Sequence, residues 1–329
     1  LLLAKYVNSP VFFVGQIDVN PPTVSYSNIV IQNFIVDGHK AFQTSETMSP
    51  YTWIIYNNGI SVSYCNNVTV RNCDLLDCRS GGCTITYNSN HITFDTCSAH
   101  GNFFDGFTSY SSTDVVFNNC YAYNHSNGAG MSFDNNMQQM MVTNCCLKNN
   151  NLGVFARQTY DSVFSNNVIT NNTTHGFFLS GKNYDLDDQG LKRCVFSNNI
   201  INGNYAKGLW LQSVVDSTVS GNTICNNGSN GINITTYSDV PSRGVSKNLN
   251  ITGNVITGNA DVGIYSDSNN TYANGARDNY LSLNVVKNNT NGQIVGEYNG
   301  FFLEDDTQLN SNVLVLRNSS NKKTTLYPS

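Results

Sequence analysis

Glycine followed by an apolar residue returns along the chain at a nearly constant interval. The pairs are Gly59-Ile60, Gly106-Phe107, Gly130-Met131, Gly153-Val154, Gly176-Phe177, Gly208-Leu209, Gly231-Ile232 and Gly263-Ile264, and Gly82-Cys83 takes the same slot. Successive steps are 23, 24, 24, 23, 23, 32, 23 and 32 residues. The two steps of 32 each equal the short period of 23 plus nine, so each holds one inserted loop. Between the glycines, apolar and polar residues alternate, as in Val68-Thr69-Val70-Arg71 and Thr218-Val219-Ser220. A period of two predicts short strands separated by turns, one coil for each repeat.

A second column keeps step with the first. Cys73, Cys97, Cys120 and Cys145 are followed by Asn167, Asn199, Asn222, Asn254 and Asn284. A single coil cannot bury its apolar face alone, and stacking closes a continuous core. Coils stacked at strand spacing, about 4.8 Å, set equivalent residues directly above one another. The asparagines then form a ladder of side-chain amides. The cysteines of the same slot read as a buried thiol stack, because a thiol packs as a small hydrophobe; disulfides between adjacent coils are the alternative. Cys65, Cys78, Cys83, Cys146, Cys194 and Cys225 lie off this column and receive no assignment.

The expected fold is therefore all-β, one solenoid domain over residues 1–329 with about 11–12 coils. Residues 1–58 form an irregular first coil (Asn28 to Gly38) and a long loop to Pro50, 59–295 the regular coils, and 296–329 a last coil and cap with a strand over Asn312 to Leu316. Ends need covering because an open coil is an exposed sheet edge.

Composition agrees with stacked strands. Charged residues make up 12%, against about 25% in an average domain. Asn, Ser and Thr take the polar positions, and these residues compete with helical hydrogen bonds. The net charge of −5 argues against a nucleic-acid partner, which requires a basic footprint. No apolar run is long enough to span a membrane. The start, Leu1-Leu2-Leu3-Ala4-Lys5, lacks Met and a full signal peptide, and reads as the trimmed start of a longer or processed chain. Sequons begin at Asn67, Asn124, Asn171, Asn172, Asn227, Asn233, Asn250, Asn269, Asn288 and Asn318, which favours an exported, glycosylated extracellular or cell-surface protein.

Over residues 28–295 the repeat resembles the right-handed parallel β-helix superfamily of polysaccharide lyases, epimerases, hydrolases and phage tailspikes. The wording is most similar to the catalytic module of mannuronan C-5 epimerases, in His100-Gly101-Asn102-Phe103-Phe104-Asp105-Gly106-Phe107, Asn119-Cys120-Tyr121-Ala122-Tyr123-Asn124 and His175-Gly176-Phe177. The resemblance implies that the Asp105-Gly106 and His175-Gly176 coils lie on a catalytic face. It also implies a Tyr-Gly-x-Asp-Pro-His-Glu motif near Gly82. Ser80-Gly81-Gly82-Cys83-Thr84-Ile85-Thr86 stands there instead, and Tyr110 replaces the family's second Asp. The chain is thus not expected to be an ordinary mannuronan epimerase.

Counting from each glycine, positions plus one and plus three point inward, and plus two and plus four outward. Position plus four reads Tyr110, Asp134 and Arg157 in consecutive coils, side by side at about 5 Å steps. A phenol, a carboxylate and a guanidinium together can move protons and grip a uronate: Arg157 bidentately on the carboxylate, Tyr110 as proton carrier and Asp134 tuning it. Asp105 and His175, each just before its glycine, are further candidates, His175 as the second proton carrier. The alternatives are a surface salt bridge between Asp134 and Arg157 with Tyr110 packed alongside, and a turn role for His175.

Position plus two supplies an aromatic stripe, Phe155, Phe178 and Trp210, suited to stacking on sugar rings or to a satellite core beneath the insert at 181–192. With Lys182, Lys207 and Gln158 it makes the expected polysaccharide-binding surface. Lys192 and Arg193 add to a local basic patch. Asp185, Asp187 and Asp188 have oxygen-ligand spacing for Ca²⁺ without the full EF-hand pattern, and a solvated acidic loop is the alternative; no other metal or cofactor is expected. Asp74 and Asp77 receive no role. Two functional classes follow. One is an exported carbohydrate-active enzyme on a uronic-acid-containing polysaccharide, by lyase, epimerase or hydrolase chemistry. The other is a structural or adhesive surface, filament or tail solenoid. A metal-delivery β-helix lacks the His or Met clusters it would need.

Overall fold

The computed structural model describes residues 1–17, 19–50, 56–180, 190–236, 245–267, 276, 278–296 and 298–299, with the backbone of 314–317 and 323–326. The chain divides into two compact units, Leu1–Val163 and Phe164–Ser329. Each is built of coils with three short strands, and the strands of successive coils pair in parallel to give three sheets.

In the first unit the glycine-flanked sheet runs through Phe12–Val14, Ile60–Ser63, Cys83–Thr86, Phe107–Tyr110, Ala129–Asp134 and Leu152–Arg157. The register is the one the repeat dictates: Phe107 faces Met131, Thr108 Ser132, Ser109 Phe133 and Tyr110 Asp134. In the second unit the corresponding strands are Phe177–Ser180, Leu209–Gln212, Ile232–Thr235, Val262–Ser266 and Gly292–Val295. The opening glycine is required by space. A Cβ on Gly106 would lie 2.6 Å from the Gly130 carbonyl oxygen, 2.8 Å from His125 Nε2 and 2.9 Å from Ala122 Cβ.

Inward residues form a dry core. Phe94, Phe107, Phe117 and Phe133 interlock in the first unit, with Phe94 and Phe117 stacked at 5.5 Å. In the second, Phe164 and Phe196 stack at 5.0 Å. Burying a side chain of this size is worth about 1.5–3 kcal/mol, so many such residues per unit, rather than any local preference, hold these short strands in place.

Two expectations for the ends change. Phe12–Val14, assigned to no element from sequence, pairs with Ile60–Val62 and completes the first coil with Tyr26–Gln32 and Ile35–Asp37. Near the other terminus, Leu314–Arg317 is a strand as expected, but it pairs antiparallel with Lys323–Leu326 as a hairpin and not as a parallel coil.

The Asn ladder is present, and there are two. Asn222 Nδ2 donates to Phe196 O and to Asn254 Oδ1, both at 2.9 Å, while its Oδ1 accepts the Asn199 backbone N–H at 2.9 Å. The second ladder lies five residues further along each coil: Asn172, Asn204, Asn227, Asn259 and Asn289 repeat the same bonds. Asn172, Asn227 and Asn233 are at most 3% exposed, so their sequons are closed to a glycan in the folded chain. All ten cysteines are thiols. Cys97 and Cys120 point Sγ at the carbonyls of Val70 and Phe94, both at 3.5 Å, the same kind of acceptor that the asparagines use.

In the first unit His125 takes a slot of the second ladder, between Asn102 and Asn150. Its Nε2 meets Ala99 O at 3.1 Å, as Asn150 Nδ2 meets Ala122 O, whereas its Nδ1 is buried without a partner. Burial pushes the imidazole down to about 4. A histidine held neutral in the fold stabilises it above the unfolded pKa near 6.5, and that stability is lost as pH falls toward 4. His125→Asn is therefore expected to stabilise the protein by about 1–3 kcal/mol at pH 7, by restoring a paired amide, and by more at pH 4.5. Urea denaturation at the two pH values measures both.

Candidate active site

The outer face of the glycine-flanked sheet in the first unit holds a cavity of about 560 Å³. Thr84, Thr86, Thr108 and Tyr110 of the sheet line it, and Tyr56, Ser80, Tyr87, Phe104, Asp105 and Asn135 enter from the connecting segments. The plus-two residues Ser61, Thr84, Thr108 and Ser132 are nearly buried although they point away from the core. They are small, and larger neighbours wall them in. Thr108 Oγ1 donates to Cys83 O at 2.9 Å and shares a hydrogen bond with Thr84 Oγ1 at 2.8 Å, so these two hydroxyls are satisfied within the sheet.

Asp105 accepts the Ala129 backbone N–H at 2.6 Å. Burial pushes its carboxyl up to about 6, and the Ala129 N–H restrains the rise. The Tyr110 phenol is pushed above its ordinary value, first by burial and then by the Asp105 charge, with a hydrogen bond to Ser132 acting the other way. Near neutral pH the site therefore pairs a carboxyl close to its titration point with a phenol that keeps its proton, a combination suited to acid–base chemistry.

Asp134 and Arg157 are neighbours, as the column requires, but Asp134 is not the exposed carboxylate expected of its position. Its side chain is 7% exposed. Arg157 Nε reaches its two oxygens at 2.8 and 2.9 Å, Arg157 Nη2 also bonds it, and the Asn135 N–H donates at 2.7 Å. The longer arginine lies over the shorter carboxylate and seals it. The pairing with Asp134 in turn raises the Arg157 guanidinium. Phe155 lies beside Arg157, its ring centroid 5.9 Å from the guanidinium carbon. Gln158 is 5% exposed and sits in a left-handed turn at φ 48°, so its side chain does not present a binding surface.

In the second unit, His175, Phe178, Lys207 and Trp210 form one cluster. Phe178 and Trp210 stack at 4.4 Å, and the His175 ring stands edge-on to Trp210 at 5.1 Å. Lys207 Nζ lies 4.3 Å above the Trp210 ring. The Lys207 N–H donates to His175 Nδ1 at 3.1 Å, which leaves the histidine proton on Nε2. Burial and then Lys207 push His175 down to about 4, and burial lowers Lys207. Lys182 and the aspartates of the expected Ca²⁺ loop, Asp185, Asp187 and Asp188, lie outside the described residues. Among the described residues no three His, Cys, Asp or Glu side chains are grouped to hold a metal ion, and no helix is long and apolar enough to cross a membrane.

Of the residues that line the cavity, the sequence singles out Asp105 and Tyr110 but not Tyr56, Tyr87 and Phe104. Tyr87 follows the plus-four residue Thr86 directly, which is the one signal the sequence carries for it. A family model described as "Right handed beta helix region" matches residues 23–151 and 122–245. The chain belongs to this family. Among solved structures, the β-helix chain is similar to the A-module of Azotobacter vinelandii mannuronan C-5 epimerase AlgE4, at 18% identity and TM-score 0.55, over 82% of the chain and 71% of that module. It is similar to the periplasmic alginate epimerase AlgG at 14% identity and TM-score 0.59, over 75% of the chain and 57% of that protein. It is also similar to PfbA, a surface adhesin of Streptococcus pneumoniae, at 15% identity and TM-score 0.64, over 99% of the chain and 83% of that protein. At these identities the likeness is one of fold. No curated protein sequence matches the β-helix chain.

Proposed function

We propose that this protein is an exported enzyme that acts on a uronic-acid-containing polysaccharide in the cavity around Asp105 and Tyr110. One observation carries the reading: a half-buried carboxyl pushed up to about 6 and a phenol held protonated line a single cavity on the outer face of the sheet. In the proposed reaction, ionised Asp105 takes the C5 proton of a uronate, leaving the electron pair on the sugar as an enolate. Tyr110 then returns a proton to the opposite face of C5, which inverts it. Alternatively the pair expels the C4 oxygen, which takes the Tyr110 proton, and an unsaturated sugar results. Phe155, in the unit that holds the cavity, is the proposed sugar-stacking residue there; within the second unit Phe178 and Trp210 are a separate proposed stacking surface, with Lys207 offering charge to an anionic chain. Neighbours that are periplasmic or surface proteins favour export.

The test is incubation with polymannuronate, polyguluronate and polygalacturonate. C5 inversion by NMR, or ultraviolet absorbance from unsaturated ends, is the expected result; neither product from any of the three would refute the reading. The replacement of the epimerase motif favours a second reading, non-catalytic glycan adhesion. Ser80, Gly81, Thr84 and Thr86 line the cavity where the resemblance implies an imidazole and a carboxylate. Under that reading a uronan binds and is recovered unchanged.

A further inference from the structure

The outer face of the third sheet in the first unit carries a second constellation. Parallel pairing sets Asp74, Ser98, Tyr121 and Cys146 in one column, and Leu76, His100, Tyr123 and Lys148 in the next. The Asp74 carboxylate accepts the Ser98 hydroxyl and meets His100 Nε2 at 3.2 Å. The His100 ring stacks on Tyr123 at 4.7 Å, and Tyr123 touches Tyr121 at 4.7 Å. The sheet does not need these residues to stack. Equivalent strands of the second unit present Val168, Ile200, Val255 and Val285 in the same outward place.

Beside this constellation lies a groove of about 530 Å³, on the turn between the second and third sheets. Its walls combine Asp74 and Ser98 with the amides of Asn72 and Asn119, and with the apolar surfaces of Phe34 and Tyr121. Among the described residues that line it, Asp74 is the one with a formal charge, and Lys148 stands next to the lining at the Tyr121 ring. We infer that this groove is a binding site for a neutral, hydroxyl-rich oligosaccharide, separate from the Asp105 cavity. The carboxylate accepts sugar hydroxyls, the amides both donate and accept, and an aromatic surface beside such groups packs on the apolar face of a pyranose. His100 Nε2 meets the Asp74 carboxylate and Lys148 Nζ lies 5.0 Å from the Tyr121 ring, so no charge is left over to select an anionic chain, and the ligand class differs from that proposed for the cavity. The inference stands whether or not the cavity is catalytic.

The experiment is titration of the intact protein with cellohexaose, laminarihexaose, mannohexaose and hexamannuronate, by calorimetry and by NMR. Saturable binding of a neutral hexasaccharide is expected, weakened about tenfold in Tyr121→Ala, which equals about 1.4 kcal/mol. Tyr121→Phe, which keeps the ring, retains binding, as does Asp105→Asn, which leaves this groove untouched. Unchanged thermal unfolding of Tyr121→Ala distinguishes lost contact from lost fold; should that variant unfold, Asp74→Asn replaces it, with the same expected weakening. The inference is overturned by no binding of any neutral hexasaccharide, by binding of hexamannuronate alone, or by neutral binding indifferent to both substitutions.

Discussion

Asp105→Asn is expected to lower turnover of a uronan by about 10²- to 10⁴-fold, the usual contribution of a positioned acid–base group, while leaving uronan binding nearly intact. The amide keeps the shape and can still accept the Ala129 N–H, so the loss is one of proton transfer. A stability change accompanies it, with a sign set by the carboxyl itself. Because the folded value of about 6 lies above the ordinary carboxyl value of 3.8, the folded chain holds this proton longer than the unfolded one. Stability from this group is full below pH 4 and declines as pH rises through 6. At pH 8 the ionised carboxylate costs about 3 kcal/mol, two pKa units at about 1.4 kcal/mol each. The variant should therefore be less active and more stable at pH 8, and nearly equal in stability to the parent at pH 4. Equal stability at both pH values would show that the carboxyl is not perturbed, whatever the activity.

Asn222→Leu is expected to cost about 3–5 kcal/mol in urea denaturation. The replacement is similar in size, so no cavity is opened. It strips the acceptor from the Asn199 N–H and the donor from the Phe196 carbonyl, and both groups are buried where water cannot replace the partner. Each orphaned group costs about 1–3 kcal/mol. It also interrupts the amide chain between Asn199 and Asn254. Asn250→Leu, at an exposed strand position of the next coil, is the control and should stay within about 0.5 kcal/mol. Similar losses in the two variants would mean that the ladder adds nothing beyond strand pairing.

Much of this was legible in the chain. The glycine repeat gave the coil length because a Cβ at that slot meets a carbonyl of the next coil, so the chain repeats the residue wherever it repeats the fold. The Tyr110, Asp134, Arg157 column became true neighbours for the same reason. The second ladder was equally legible, since Asn172, Asn204, Asn227, Asn259 and Asn289 each stand five residues after a member of the first. Other features depend on geometry that a one-dimensional pattern does not carry. Tyr56 and Phe104 reach the cavity from connecting segments whose path is set by turns. Asp134 is buried because Arg157 folds back over it, a choice of side-chain rotamer. Gln158 is buried because a left-handed turn redirects it. Asp74, given no role from sequence, gains its partners from the next coil, 24 residues away for Ser98.

The exchange of cysteine for asparagine along one column has a mechanical consequence. A thiol has one hydrogen and a weakly accepting sulfur, so Cys97 and Cys120 direct theirs at carbonyls and meet the cysteine and backbone amide of an adjoining coil only through sulfur. Asn222 and Asn254 bond to a carbonyl and also clasp the amide of an adjoining coil. Pulled apart along the stacking direction, coils of the first unit break strand bonds and weak sulfur contacts on this side, whereas those of the second must break strand bonds and a stronger amide rivet. Under tension the turns at Cys97 and Cys120 yield before those at Asn222 and Asn254, so the chain has a soft region and a tough one written into a single column of side chains.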